Sequence, residues 1–178
     1  MKRIITLLAL FLLYASAALS QDLMFGKFLG SINPVKFTGN SKYKLYEKQV
    51  EVIEYNTTGQ NQNTTINLKF SPCPASADFL AALQTAKNIL NGQVTVLQDT
   101  KTSFNKIKYI IYFEDAKVLS CNEAQACDRS LSTTVQLKPS KVCWVYYNYD
   151  LSGKLLNTTT NGFDTKNGQS WAVTPPNF

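Results

Sequence analysis

The chain has 178 residues, 18 lysines and arginines against 12 aspartates and glutamates, and no histidine. Without an imidazole it cannot build Ser-His or Cys-His nucleophilic catalysis, and with no close CxxC pair it offers no ordinary zinc site. The basic groups are scattered in singles and pairs, which weighs against nucleic acid or another polyanion as a partner.

The first residues, "MKRIITLLALFLLYASAALSQDL", place Lys2 and Arg3 before an apolar run that ends in small residues, with Ala18 and Ser20 suited to signal peptidase. Residues 1–20 are predicted to be a secretory signal peptide cut before Gln21, leaving 21–178 as a single secreted domain. Loss of two of the 18 basic groups takes the formal net charge from +6 to +4. No later stretch approaches the ~18 apolar residues of a spanning helix, so no membrane anchor is expected.

In chain order, "SKYKLYEKQVEVIEYN" and "INLKF" read as a β-hairpin around the polar loop "NTTGQNQNTT", with Ile66, Leu68 and Phe70 on one face. Sequons at Asn56, Asn63 and Asn157, behind a signal peptide, predict N-glycosylation on exposed loops. "PCPASADFLAALQTAKNILNG" predicts a helix capped by Ser76, with Asp78 at its positive end, Phe79, Leu83, Ala86 and Leu90 on one face, and Gly92 ending it. "QVTVLQ", "KIKYIIYF", "STTVQLK" and "VCWVYYNYD" follow as strands, the last able to bury both faces. Two Asn-Gly turns and a Pro pair in the tail suggest either a final hairpin or an ordered end. The fold class predicted is α+β: an antiparallel β-sheet packed on a single α-helix, with an additional N-terminal β-hairpin.

Cys73, Cys121, Cys127 and Cys143 form an even set in a chain bound for an oxidising compartment, which predicts two disulfides. Of the three possible pairings, Cys121 with Cys127 closes a small loop of unbulky residues, leaving Cys73 with Cys143. Glu51, Glu54, Glu114, Asp115, Glu123 and Asp128 are the acids available for a glycosidase pair, but their charged surroundings read as solvated faces. In "CWVYYNY" alternation puts Trp144 and Tyr146 on one face and Val145, Tyr147 and Tyr149 on the other, either as packing or as an aromatic binding platform.

The order of helix, strand, loop, long strand and cysteine-flanked strands, with "KYIIYFEDAKVLSC" and "KVCWVYYNYDLSG", resembles the secreted cystatins over about residues 76–155. The resemblance implies a protease-binding wedge from three segments: the chain near Gly26 and Gly30, a first turn at Gln98, Asp99, Thr100 and Lys101, and a second at Asp150 and Leu151. The family's Gln-x-Val-x-Gly and Pro-Trp motifs are absent from those turns. The sequence therefore reads as a secreted, disulfide-stabilised, N-glycosylated, non-enzymatic protein-binding domain, with a divergent cystatin-like protease inhibitor as its specific form. The alternative is an extracellular structural or coat glycoprotein that self-associates. Partners are an extracellular protein such as a protease, or further copies of the chain; no cofactor and no metal are indicated.

Overall fold

The computed structural model describes residues 22–31, 36–59, 63–98 and 106–173. Its elements run β1 (Leu23–Gly30), β2 (Val50–Thr58), β3 (Thr65–Phe70), α1 (Pro74–Gln84), β4 (Ile89–Gln98), β5 (Lys106–Gln125), β6 (Leu131–Lys138), β7 (Lys141–Tyr149) and β8 (Leu155–Asp164). The strands neighbour one another in the order β4-β1-β2-β3-β6-β5-β7-β8, and β4 pairs with β5 as well. That closing ladder, from Ile89 opposite Ala116 to Gln98 opposite Lys106, joins β4, β1, β2, β3, β6 and β5 into a six-stranded antiparallel barrel. Strands β7 and β8 continue from β5 as a flap.

This corrects the expected α+β sheet packed on a helix. The deciding element is β1, "LMFGKFLG", whose weak alternation gives no clear strand signal. It pairs with β4 along one side, Leu23 opposite Leu97 to Gly30 opposite Ile89, and with β2 on the other. With β1 inserted, the sheet closes on itself, and the β2–β3 hairpin becomes barrel wall rather than an added unit. A closed barrel has no free inner face for a helix to cover.

The helix closes one end instead. Phe79, fully buried, meets Phe28 near the end of β1, Phe37, and Phe70 at the end of β3, with ring centroids 5.1, 4.8 and 5.8 Å away. The T-shaped contacts with Phe28 and Phe37 are a favoured aromatic geometry. Beneath them Ile66, Leu68, Val94, Ile111, Phe113, Val135 and Leu137 fill the interior, so the three apolar residues expected on one face of "INLKF" do face the core.

The helix begins one turn earlier and ends sooner than expected. Its N-cap is Cys73, whose thiol accepts from the Ser76 backbone N–H while Ser76 Oγ accepts from Cys73 N–H at 3.2 Å; Ser76 is the reciprocal partner in the capping box, not the cap. Ala86 takes a positive φ of 51° just past the helix, and Leu90 already lies exposed in β4. Gly92 is therefore a strand residue. It lies opposite Phe113, whose ring covers it so closely that a Cβ there would collide. Asn161-Gly162 is likewise no turn: Gly162 sits inside β8 opposite Cys143, where a Cβ would come within 2.7 Å of the Cys143 Cβ. Only the second Asn-Gly of the tail turns, with Gly168 at φ 71°.

A second apolar layer lies on the outer face of β5 and β7, where Ile110, Cys143, Val145 and Tyr147 pack beneath Trp171 and Val173. The alternation read in "CWVYYNY" holds, since Trp144 packs on the barrel core while Val145 and Tyr147 belong to this outer layer. Among the described residues no helix is long and apolar enough to cross a membrane.

The two layers overturn the expected disulfides: all four cysteines are free thiols. Cys73 packs on the barrel core and Cys143 in the outer layer, on opposite faces of the wall. Cys121 lies in β5, which runs extended through Gln125; at ~3.3 Å per residue that run already exceeds the ~7 Å Cα separation a disulfide allows. Burial pushes the Cys73, Cys121 and Cys143 thiols up, so they behave as small apolar groups.

Replacing Phe79 with alanine should lower stability by about 3–5 kcal/mol in urea unfolding, while Leu80→Ala, on the exposed side of the same helix, should stay within about 0.5 kcal/mol. Gly92→Ala should cost about 1–3 kcal/mol by overpacking against Phe113.

Candidate assembly edge

The flap originates in a change of partner along β5. Its Tyr109–Glu114 segment lies between β4 and β7, whereas Lys117–Gln125 pairs with β6. Strands β6 and β7 therefore follow one another along the same side of β5, and Pro139 and Ser140 form the corner between them. Asp115 absorbs the bend with a φ of 48°, in the left-handed region that aspartate tolerates better than most residues.

Side chains fix this corner. Ser140 N–H donates to the Glu114 carbonyl at 3.0 Å, and Ser140 Oγ lies 2.9 Å from Asp115 Oδ2. Asn88 Nδ2 donates to Asp115 Oδ1 at 2.6 Å, tying in the start of β4. Thr165, buried at the end of β8, donates its hydroxyl to the Pro139 carbonyl at 2.8 Å and its N–H to the Ser140 carbonyl at 2.8 Å. Lys141 pairs with Glu114 at 2.9 Å. Hydrogen bonds from Asn88 and then Ser140, with Lys166 nearby, hold the Asp115 carboxyl below the usual carboxylate range.

Where β7 leaves the barrel, a tyrosine trio bridges three strands. Tyr55 of β2 and Tyr109 of β5 hydrogen-bond through their hydroxyls, and the Tyr109 ring lies 5.5 Å from that of Tyr146 in β7. Burial pushes both the Tyr55 and Tyr109 phenols up, so these two rings act as packing with a satisfied polar tip.

Strand β8 is the outermost of the sheet. Residues 169–171 cover its last part: Trp171 N–H donates to the Gly162 carbonyl at 3.0 Å, and Asp164 N–H to the Gln169 carbonyl at 2.8 Å. Backbone groups alternate in direction along an antiparallel strand. Gly162 and Asp164 thus point outward, as does Thr160, while Thr159, Asn161 and Phe163 point to β7. From Leu155 to Asn161 the outward edge has no partner among the described residues. The stretch "LLNTTTN" is almost wholly exposed and carries no charged residue and no proline. Those are the residues by which soluble proteins ordinarily protect a sheet edge.

A well-formed turn ends the flap. Asp150 Oδ1 accepts from Ser152 Oγ at 2.7 Å and Lys154 N–H at 2.8 Å, and Gly153 takes a φ of 87°. Leu151 stands fully exposed at its tip. Gln98, opposite Lys106, lies at the same end, since the Lys106 ammonium sits over the Tyr149 ring at 5.4 Å. The wedge segments nevertheless do not assemble, because Gly30 pairs with Ile89 at the far end of the β1–β4 ladder and Gly26 with Val94 in its middle. Asp99, Thr100 and Lys101 lie outside the described residues.

The remaining sequence candidates are dispersed. Asn63 is exposed beside β3, but Asn56 and Asn157 lie within β2 and β8 rather than in loops, and Asn157 Oδ1 accepts from Asn148 at 2.7 Å. Glu114 and Asp115 serve the corner, Asp128 holds Ser130 in the β5–β6 turn, and Glu123 lies near Thr133. Glu51 and Glu54 are in β2. Ser140, Thr165 and Asn88, which shape the corner, gave no signal in the sequence beyond the "KPSK" break between two strands.

A closed six-stranded barrel, capped by a helix and extended by a two-stranded flap, defines the class of fold, and it differs from the cystatin arrangement. No family model and no curated protein sequence matches the chain. Among solved structures the fold is that of Hcp proteins. Hcp1 from Salmonella typhimurium gives a TM-score of 0.69 at 16% identity, over 85% of this chain and 99% of that one. A type six secretion system protein gives 0.70 at 16%, over 84% and 99%. The secreted protein Hcp3 from Pseudomonas aeruginosa gives 0.65 at 16%, over 80% and 97%. With a different fold and wedge segments at different ends, the cystatin-like inhibitor and its protease partner are set aside.

Asp115→Ala, which strips the corner of its carboxylate, should cost about 1–3 kcal/mol in urea unfolding. A carboxyl lowered in the folded state adds stability that is complete above its unfolded value and lost as pH falls through its folded one. The wild-type urea midpoint should therefore drop below about pH 4 more steeply than that of Asp115→Asn.

Proposed function

We propose that the chain is a secreted, non-catalytic structural protein that associates with further copies of itself through the outer edge of β8. The observation that carries this reading is the uncharged, uncovered backbone edge of residues 155–161. An edge of this kind adds a strand from a neighbour, with main-chain hydrogen bonds as the main source of affinity. The fold shared with Hcp1, with the secretion-system protein and with the secreted protein Hcp3 supports an extracellular structural role, and the leader at residues 1–20 provides the route out of the cell.

Strand β2 supplies the complementary edge. It pairs with β1 only from Val50 to Val52, so from Glu54 to Thr58 its β1 side is open among the described residues. A β8-to-β2 contact is heterologous and builds rings or filaments, whereas β8-to-β8 is isologous and stops at a dimer.

Proline separates edge from ladder. At Thr160 the N–H points outward, so Thr160→Pro should block the edge while leaving the β7 ladder and the Asn157 sequon intact. Sedimentation velocity of the mature chain should show oligomers that Thr160→Pro reduces to monomer, with the circular dichroism spectrum retained. A wild-type chain that stays monomeric across the accessible concentration range would overturn the reading.

A further inference from the structure

Lys117 and Lys138 stand directly opposite each other in the β5–β6 ladder, and both are exposed. Like charges in that position repel across a sheet. Among the described residues neither lysine has an ion-pair partner. Together they border a hollow of about 510 Å³ at the Pro139–Ser140 corner, lined also by Asn88, Asp115, Thr165 and Lys166. Three lysines thus line a hollow that holds one carboxylate. That carboxylate is already engaged, since Oδ1 takes the Asn88 amide at 2.6 Å while Oδ2 takes the Ser140 hydroxyl at 2.9 Å and lies 3.5 Å from Lys166 Nζ. The charge of Lys117 and Lys138 is left uncompensated.

We infer that this hollow binds a tetrahedral oxyanion carried as a sulfate or phosphate monoester, held between Lys117 and Lys138. An oxyanion between two ammonium groups turns their repulsion into two charge-assisted hydrogen bonds. An amide nitrogen carries two protons, so Asn88 Nδ2 keeps one beyond the one given to Asp115. The volume exceeds that of a bare ion and falls in the ~300–1,000 Å³ range of small-molecule sites, which leaves room for the sugar or residue that bears the ester. The corner is fixed by main-chain and buried Thr165 contacts, so the two strand positions that carry the lysines are held opposite each other before the ligand arrives. This site is independent of the β8 edge.

The repulsion itself supplies the test. Thermal unfolding of the mature chain is followed in sodium chloride and in sodium sulfate or phosphate at equal ionic strength, for wild type, Lys138→Glu, Lys138→Ala and Lys27→Glu as a remote control. In chloride Lys138→Glu should melt above wild type, because it replaces a like-charge pair with an opposite one. In sulfate or phosphate wild type should rise saturably, as a ligand of the folded state requires. Lys138→Glu should not rise, and Lys27→Glu should follow wild type. Amide shift titrations should place the perturbation at Lys117 and Lys138, with affinity about tenfold weaker in Lys138→Ala. Glucosamine 6-sulfate and mannose 6-phosphate are titrated in parallel, and the one that binds more tightly than its free ion identifies the ester. Equal stabilisation of wild type and Lys138→Glu by oxyanions, or perturbation spread over all exposed lysines, would overturn the proposal. So would esters that bind no better than the free ions.

Discussion

The architecture depends on one strand changing partners. β5 is twenty residues long, and no single neighbour follows it throughout. Its first half serves as wall between β4 and β7, its second half pairs with β6, and the switch falls at Asp115 opposite Ser140. Asp115 takes a positive φ and its carboxylate is held by Asn88 and Ser140, which fixes the bend where the wall turns into the barrel. A straight β5 would leave β6 unable to reach β3 and the barrel open.

Closure at that point has two consequences with a common cause. It removes the sheet edge of β4, and it displaces β7 and β8 outward, where β8 becomes the last strand of the sheet. Among the described residues, unpaired strand backbone remains on the flap, at the end of the β2–β3 hairpin and along the side of Val118–Gln125 away from β6. Tyr55, Tyr109 and Tyr146 pack where the flap leaves the wall, and burial disfavours the phenolates of Tyr55 and Tyr109. On the other face Trp171 and Val173 cover β7. The flap is therefore a packed element with a bare rim.

The corner that makes closure possible also collects charge. Lys117, Lys138 and Lys166 converge there because β5, β6 and the end of β8 meet at the bend, although the three are scattered in sequence. A chain whose net charge is modest can still present a local excess of ammonium groups when a fold brings single lysines together.

The sequence alone determined the strands with strong alternation. Ile66, Leu68 and Phe70 face the core, Trp144 and Val145 lie on opposite faces of β7, and Phe79 is on the buried side of a helix, because a period of 2 or 3.6 in apolar residues is written locally. It also determined the absence of histidine, and with it the exclusion of imidazole catalysis. Only the tertiary structure decided what those elements enclose. β1 pairs on both sides yet has little alternation of its own, so nothing local announces that the sheet closes; the fold class turned on that strand. Gly92 and Gly162 read as breakers because glycine commonly ends elements, whereas here each makes room for a neighbour across the ladder, Phe113 and Cys143. The cysteines suggested bridges by number and spacing, but pairing needs a short Cα separation and a shared face, and the register of β5 and β7 denies both. Contacts between residues distant in the chain are set by which strands lie side by side, and that is a property of closure rather than of any local pattern.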